Sequence, residues 1–317
     1  MDNKITNLVF EGGGMLGVGY VGALEYLYEK GIIKNIKRVA GTSMGAITSC
    51  VLSFNVDFEE IKRVTNTINF KKVIFGNDNK KKTNKLKCLW RLLNNYGLLS
   101  SKYFYIWIKD LIAEQFDQNL KQPPYTFADF KNTEIHKNKK PFLDLYIIGS
   151  DITNTTQTIF SYETTPDMEV AEAVRISISI PLLFEAVIIE EEGSKKVFSD
   201  GGVTKNYPIN IFDDIDYDNN LTYTPNFETL GLKFKSRTVC YRKTDNILQY
   251  LTNLAITANS VQNDIYNTRY FDKKRTIEID TKGVSPTNFD IKQNDETYNF
   301  LYKQGYEAAK NYFENKQ

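Results

Sequence analysis

The chain has almost no histidine, because His136 is the only one among its 317 residues. Histidine is the side chain that most often acts as a general base near neutral pH. His136 lies in a polar, basic segment just before Pro141 and precedes the best candidate acid, Asp200. The serine, acid, histidine order of an α/β-hydrolase triad therefore fails for this acid. We predict that His136 is a surface-loop residue.

Cysteine is also scarce, with Cys50, Cys88 and Cys240 far apart in the sequence. Their number is odd, no C-x-x-C pair occurs, and no histidines stand near them to complete a zinc site. These absences argue against a disulfide framework and against a structural metal. We expect no metal, no cofactor and a reduced, intracellular setting.

The sequence also lacks a large net charge and any long apolar run. Forty basic residues face thirty-nine acidic ones, so the formal charge is +1 and no overall field favours nucleic acid. No stretch approaches the roughly 18 to 20 apolar residues needed to span a bilayer, and the N-terminus lacks a signal-peptide pattern. We expect a cytoplasmic protein that is soluble or peripheral on a membrane.

The first fifty residues alternate between strand-like and helix-like patterns. Residues 5–10 form a short apolar run, residues 20–30 have helical spacing, residues 32–40 are extended, and residues 44–54 are again helical. This βαβα order implies parallel strands with helices packed on them. The predicted fold class is therefore α/β, with a mostly parallel central sheet and helices on both faces.

The rest of the chain continues the alternation. Helices are predicted over residues 100–116, 170–178, 244–271 and 295–313, and strands over 143–149, 186–190, 196–198, 230–234 and 275–279. Loops are predicted at the Lys/Asn-rich residues 71–87 and at residues 213–227. We expect a catalytic unit at 7–212, with 213–317 packing on the same domain.

A glycine-rich segment, Gly12-Gly13-Gly14-Met15-Leu16-Gly17, separates the first strand from the first helix. It matches G-x-G-x-x-G, but a dinucleotide site would need an acidic residue about 20 positions on, and none is present there. The alternative is a nest of backbone amides that holds an oxyanion. Because the next strand ends beside it at the same sheet edge, we favour an oxyanion hole made by Gly12, Gly13, Gly14 and Met15.

The second strand ends in Gly41-Thr42-Ser43-Met44-Gly45, a G-x-S-x-G segment. In a nucleophile elbow this sharp strand-to-helix turn exposes the serine oxygen. The segment is also compatible with an ordinary helix-capping serine. Ser43 is a weak nucleophile unless a base removes its proton.

Asp200-Gly201-Gly202 follows a predicted strand and offers such a base. Asp-Gly is also a strong hairpin signal, so a tight turn is the alternative. The residues after Gly202 do not resume an alternating strand, which favours a functional aspartate. Partial burial would raise its pKa from about 3.9 towards a value useful for a base.

With these segments in place, the chain resembles the patatin-like phospholipase family. The resemblance runs in order through Phe10-Glu11-Gly12-Gly13-Gly14-Met15-Leu16-Gly17, Gly41-Thr42-Ser43-Met44-Gly45, residues 173–184 (AVRISISIPLLF), and Asp200-Gly201-Gly202-Val203 with Asn206 and Pro208. It covers about residues 7–212. The chain departs from the family at Leu16, where Arg or Lys is frequent.

The resemblance implies a patatin-like three-layer architecture and a serine-aspartate dyad acting on acyl lipids without histidine or calcium. Ser43 would be the nucleophile, Asp200 the proton acceptor, and amides around Gly13 and Gly14 the oxyanion hole. Gly17, Gly41, Gly45, Gly201 and Gly202 would be motif positions. The implied partner is a phospholipid or another acyl lipid, with peripheral membrane contact; no activating protein partner is specified.

Two other functions fit the same residues. One is a hydrolase of small esters or thioesters that does not act on membranes. The other is a catalytically silent member of the fold that binds lipid or protein. Intact Ser43 and Asp200 argue against the silent form.

Overall fold

The computed structural model describes residues 4–67, 85–191, 193–216, 222–235 and 243–314. Its α-helices are α1 (Val18–Glu29), α2 (Met44–Ser53), α3 (Phe58–Thr67), α4 (Lys85–Asn95), α5 (Lys102–Ala113), α6 (Phe127–Lys131), α7 (Val170–Ser177), α8 (Gly202–Lys205), α9 (Ile247–Thr268), α10 (Tyr270–Lys274) and α11 (Glu296–Glu314). Its strands are β1 (Asn7–Phe10), β2 (Arg38–Thr42), β3 (Gly97–Leu99), β4 (Asp144–Asp151), β5 (Thr156–Phe160), β6 (Leu182–Phe184), β7 (Val187–Glu191), β8 (Ser194–Asp200), β9 (Asp214–Asp216), β10 (Thr222–Thr224), β11 (Thr229–Phe234) and β12 (Thr276–Ile279). Short 3-10 helices span Gly14–Gly17, Ile32–Asn35 and Thr133–Ile135.

The central sheet has the strand order β12-β11-β1-β2-β4-β8-β7, and β5 also pairs with β4. The strands from β12 to β4 are parallel, because helical connections return the chain to the same edge. In contrast, β8 and β5 run antiparallel to β4, and β7 runs antiparallel to β8. The predicted mostly parallel sheet is confirmed.

Alternate side chains of each strand enter different cores on the two faces of the sheet. Leu8 and Phe10 of β1 belong to the larger hydrophobic core, which includes residues of α1 and α2. Val9 packs with Ala40 and with Tyr266 of α9 in a smaller core. Helices therefore flank both faces, as predicted.

Several element boundaries differ from the sequence-based expectations. The segment expected to be extended from residue 32 begins as a 3-10 helix, and β2 starts only at Arg38. Residues 213–227 contain a two-stranded ribbon, β9 and β10, which pairs with itself and not with the central sheet. The predicted loop at 71–87 lies outside the described residues as far as residue 84, and its last three residues begin α4.

The prediction of a surface position for His136 is wrong. Its side chain is fully buried, and its ring stacks on Phe142 with centroids 3.7 Å apart. The two ring nitrogens lie 2.7 Å from the Lys140 carbonyl oxygen and 3.1 Å from the Asp129 carbonyl oxygen. The flanking charged residues reach solvent while the ring fills an aromatic pocket, which explains why local polarity misled the prediction.

Candidate active site

Ser43 occupies a strained turn between β2 and α2. Its backbone has φ 53° and ψ −119°, a left-handed conformation that non-glycine residues rarely adopt. Its side chain makes no capping hydrogen bond to α2, so the helix-capping alternative does not describe this serine. A Cβ atom on Gly45 would lie 2.3 Å from the Phe10 carbonyl oxygen, so glycine is needed for α2 to start against β1.

A second serine fixes this turn from outside the motif. The Ser43 amide donates a hydrogen bond to Ser177 Oγ at 2.9 Å, and the Ser177 hydroxyl donates to the Ile148 carbonyl at 2.5 Å. Ser177 is fully buried on α7. The sequence analysis assigned it no role, although it lies within the AVRISISIPLLF segment.

Asp200 ends β8, and Gly202 begins α8, so the Asp-Gly pair does not form a hairpin. Strand pairing places Asp200 beside Gly149 of β4, while Ile148 of the same strand pairs with Thr42. The residue before Ser43 and the candidate base therefore approach the same stretch of β4. A Cβ atom on Gly201 would lie 2.3 Å from the Ile148 carbonyl oxygen, so the close turn requires glycine.

The Asp200 carboxyl group is buried, with 5% of the residue exposed. Oδ1 accepts a hydrogen bond of 2.6 Å from the Gly202 amide, while Oδ2 has no hydrogen-bond partner in the described part of the chain. Burial raises the pKa of Asp200 from 3.8 to about 7, and the Gly202 amide and the Ser43 hydroxyl oppose this rise. The Ser43 hydroxyl lies close to this carboxyl group but forms no hydrogen bond with Oδ2.

The glycine loop lies directly against the elbow. A Cβ atom on Gly12 would lie 3.3 Å from Ser43 Cβ and only 2.4 Å from Asn206 Oδ1. Two of the four predicted oxyanion donors already have acceptors: the Gly12 amide donates to the Asn206 carbonyl, and the Met15 amide donates to the Pro286 carbonyl. Within residues 4–67 and the other described segments, no acceptor meets the Gly13 and Gly14 amides. These two amides are therefore the remaining candidates among the four predicted donors.

A buried polar network connects the glycine loop to two other elements. Glu11 Oε1 lies 2.5 Å from Lys233 Nζ, and its Oε2 accepts a hydrogen bond from the Phe234 amide. Asn206 Nδ2 donates to the Gly12 carbonyl at 3.2 Å, and the Asn206 amide donates to Gln262 of α9. Sequence reasoning quoted Glu11 and Asn206 in motifs but gave neither a role, and it missed Lys233.

Residues 8–213 match the family described as "Patatin-like phospholipase". The chain belongs to the patatin-like phospholipase family. The matched residues include the glycine loop, the Ser43 elbow and the Asp200 turn, which the fold brings to one edge of the sheet.

Viral proteins are among the relatives of this patatin-like chain. A protein of Acanthamoeba polyphaga mimivirus is 27% identical over 313 residues, covering 98% of this chain and 94% of the relative. A protein of Invertebrate iridescent virus 6 named as a probable lipid hydrolase is 31% identical over 210 residues, covering 64% of this chain and 62% of the relative. The match to the patatin-like phospholipase family supports a lipid hydrolase at the level of the family.

Solved structures share the fold at low sequence identity. VipD from Legionella pneumophila superposes with a TM-score of 0.59 and 18% identity, covering 99% of this chain and 67% of VipD. ExoU from Pseudomonas aeruginosa, solved in complex with SpcU, gives a TM-score of 0.51 and 18% identity, covering 98% of this chain and 52% of ExoU. These likenesses extend the patatin-like fold to nearly the whole described chain.

None of the helices in the described residues is long and apolar enough to cross a membrane. No group of three or more His, Cys, Asp or Glu side chains in the described segments is arranged to hold a metal ion.

Proposed function

We propose that this protein is a phospholipase A-type lipid acyl hydrolase that uses Ser43 as nucleophile and Asp200 as general base. The observation that carries the proposal is the Asp200 carboxylate, buried beside the Ser43 elbow with one oxygen unpartnered and a pKa raised to about 7. A base is most effective when its pKa lies near the working pH.

In the first step the Ser43 hydroxyl attacks the carbonyl carbon of a fatty-acyl ester while Asp200 Oδ2 takes its proton. The carbonyl oxygen becomes an oxyanion, for which the Gly13 and Gly14 amides are the proposed donors. The tetrahedral intermediate then collapses, the alcohol leaves with the proton from Asp200, and Ser43 carries the acyl group.

In the second step, water takes the place of Ser43 as the nucleophile. Asp200 takes a proton from the water as it attacks the acyl-serine, and returns it to Ser43 as the fatty acid leaves. Because one carboxylate replaces the histidine that carries the proton in a triad, we expect the oxyanion donors to supply much of the rate. Removing one such donor typically lowers turnover by about 10² to 10³.

The test is fatty-acid release from a defined two-chain phospholipid in mixed micelles, which also identifies the acyl position that is cleaved. Ser43→Ala and Asp200→Asn should abolish most release. Ser53→Ala is the matched control, because Ser53 is a fully buried serine at the far end of α2 whose hydroxyl donates to the Cys50 carbonyl. Undiminished release by Ser43→Ala would overturn the assignment.

The same samples distinguish the two other functions. Turnover of soluble esters or thioesters without release from micelles or vesicles would identify a small-ester hydrolase. Failure of a serine-directed phosphonate to label Ser43, together with no turnover, would identify a silent binding protein.

A further inference from the structure

We propose that α9 pairs with α9 of a second copy of this chain in an antiparallel coiled coil, and that this pairing supports the Asp200 turn. The support of the turn rests on the proposed function, whereas the pairing itself does not. Apolar residues recur along α9 at alternating intervals of four and three, which is the heptad spacing of a coiled coil. These six residues, here called the α9 seam, are Ile247, Leu251, Leu254, Ala258, Val261 and Ile265.

The α9 seam faces solvent in the single chain. Four of its residues, Ile247, Leu254, Val261 and Ile265, are each more than half exposed. Before Tyr266, no described side chain of α9 is buried, and Tyr266 is the residue of this helix that enters the smaller core. The exposed apolar stripe is about 27 Å long at the rise of an α-helix. An apolar stripe of this extent on a surface helix indicates an interaction site.

The α9 seam is complementary to itself when two copies run antiparallel. In that arrangement each residue at one apolar heptad position packs against the other apolar position of the partner helix, about a two-fold axis. With the axis beside residue 256, the opposed pairs are Ile247 with Ile265, Leu251 with Val261, and Leu254 with Ala258. Each seam residue therefore meets an apolar partner, and at the centre a large side chain packs over a small one.

The charge of α9 favours a second copy over other partners. Asp264 is the only charged residue among the 22 of this helix. In an antiparallel pair the two Asp264 side chains lie about 24 Å apart along the axis, whereas a parallel pair would hold them at the same height. A different partner helix is normally selected by charges flanking the seam, and a lipid surface by Lys or Arg on the polar face. Apart from Asp264, α9 offers neither.

Beside the seam, α9 also contacts the Asp200 turn. Gln262 Nε2 donates to the Gly202 carbonyl at 3.0 Å, and its Oε1 accepts from the Asn206 amide at 2.7 Å. The Gly202 amide in turn donates to Asp200 Oδ1. Because α9 buries so few side chains of its own, pairing with a second copy would hold it in place and thereby support this turn.

Charge exchange along the seam tests both the partner and its orientation. The variants are Ile247→Glu, Ile265→Lys and the double variant, and sedimentation over a range of concentrations gives their mass in solution. Wild type should form a dimer of twice the 36.6 kDa chain mass. Each single change should raise the dimer dissociation constant by about a hundredfold or more, because it places charges against apolar partners in two layers.

The double variant should recover most of the dimer, because the introduced carboxylate at position 247 then faces the introduced ammonium at position 265 of the second copy. An acid at the start of α9 and a base in its last turn both suit the helix dipole, so neither change should unfold the helix. Ile106→Glu is the control, because Ile106 is an exposed isoleucine on α5 and not part of α9. It should remain dimeric.

Wild type that stays monomeric at every concentration would overturn the pairing. A double variant as dissociated as the single variants would overturn the antiparallel arrangement. If monomeric wild type binds phosphatidylcholine vesicles and Ile265→Lys does not, the seam binds a lipid surface and the proposal fails.

Turnover measured on the same samples tests the support of the Asp200 turn. We expect kcat to fall in both single variants, to return in the double variant and to stay unchanged in Ile106→Glu. Equal kcat in monomeric and dimeric samples would overturn the support of the turn. Undiminished release by Ser43→Ala would instead overturn the proposed function, and the sedimentation result would still decide the pairing.

Discussion

The main-chain amide of Ser43 is held by the side chain of Ser177, 134 positions later in the chain. The Ser177 hydroxyl itself donates a hydrogen bond to the Ile148 carbonyl, so one side chain links the elbow, α7 and β4. A residue held at φ 53° costs free energy and persists only where its surroundings fix it. Ser177 therefore acts as a positioning residue for the proposed nucleophile.

Replacing Ser177 by alanine should lower both stability and turnover. The change leaves the Ser43 amide and the Ile148 carbonyl buried without this partner, at a cost of about 1–3 kcal/mol in the free energy of unfolding. We expect kcat to fall more than KM rises, because the change removes the support of the proposed nucleophile. Ser53→Ala is the matched control for a lost buried hydroxyl. If folded Ser177→Ala and Ser53→Ala have the same kcat, Ser177 does not position the proposed nucleophile.

The pH dependence of kcat/KM should report the base. Asp200 accepts a proton only when ionised, and its pKa is about 7. We therefore expect kcat/KM to fall by about tenfold for each pH unit below that value and to level off above it. The profile is measured on a soluble ester in buffers of constant ionic strength. A plateau reaching down to pH 5 would show that the group acting as base is not Asp200 with this pKa.

Asp200→Asn should make the protein inactive but more stable at alkaline pH. A carboxyl whose pKa is raised in the folded state binds a proton more tightly there, so the folded state loses stability as pH rises from about 4 to about 7. A pKa of about 7 in place of 3.8 corresponds to at most about 4 kcal/mol. Asparagine carries no such charge.

Urea unfolding at pH 5 and pH 8 tests this expectation. The stability advantage of Asp200→Asn over wild type should be larger at pH 8 than at pH 5. An advantage that grows as the pH falls would have the wrong sign for a carboxyl group with a raised pKa. Retained fatty-acid release by this variant would separately contradict the role of Asp200 as base.

The local patterns were sufficient to predict β1, β2 and the turns that follow them, because short apolar runs and glycines report their own conformation. They also predicted Ser43 and Asp200 as candidate site residues, since both stand in glycine-flanked turns after strands. The sequence could not predict which amides of the glycine loop are left without a hydrogen-bond acceptor. Whether Gly12 or Gly13 retains a free amide depends on the Asn206 carbonyl, which arrives from a distant part of the chain.

The same limit applies to buried polar residues. His136 stands among exposed lysines, yet its ring packs on Phe116 and Phe142. Lys233 lies in an otherwise apolar strand, and its partner Glu11 is 222 positions away. Such contacts leave no periodic signal in the sequence, because each depends on a partner that only the tertiary fold supplies.

The buried Glu11–Lys233 ion pair allows a last prediction. It distinguishes the cost of leaving one buried charge unpaired from the cost of losing both charges together. Both side chains are at most 5% exposed, and burial raises the pKa of Glu11 while the Lys233 charge opposes that rise. Lys233→Met should cost about 3–5 kcal/mol, because it leaves the Glu11 carboxylate buried without its cation. Adding Glu11→Gln should recover most of that stability, since neither charge then remains.

Urea unfolding of wild type, both single variants and the double variant completes the cycle, with kcat measured on each folded protein. Glutamine can still accept the Phe234 hydrogen bond that holds the base of the glycine loop. We therefore expect the double variant to regain turnover together with stability. A double variant that is as unstable as the sum of its two single changes would show that the two side chains contribute independently, and the pair would then not be the unit that supports the loop.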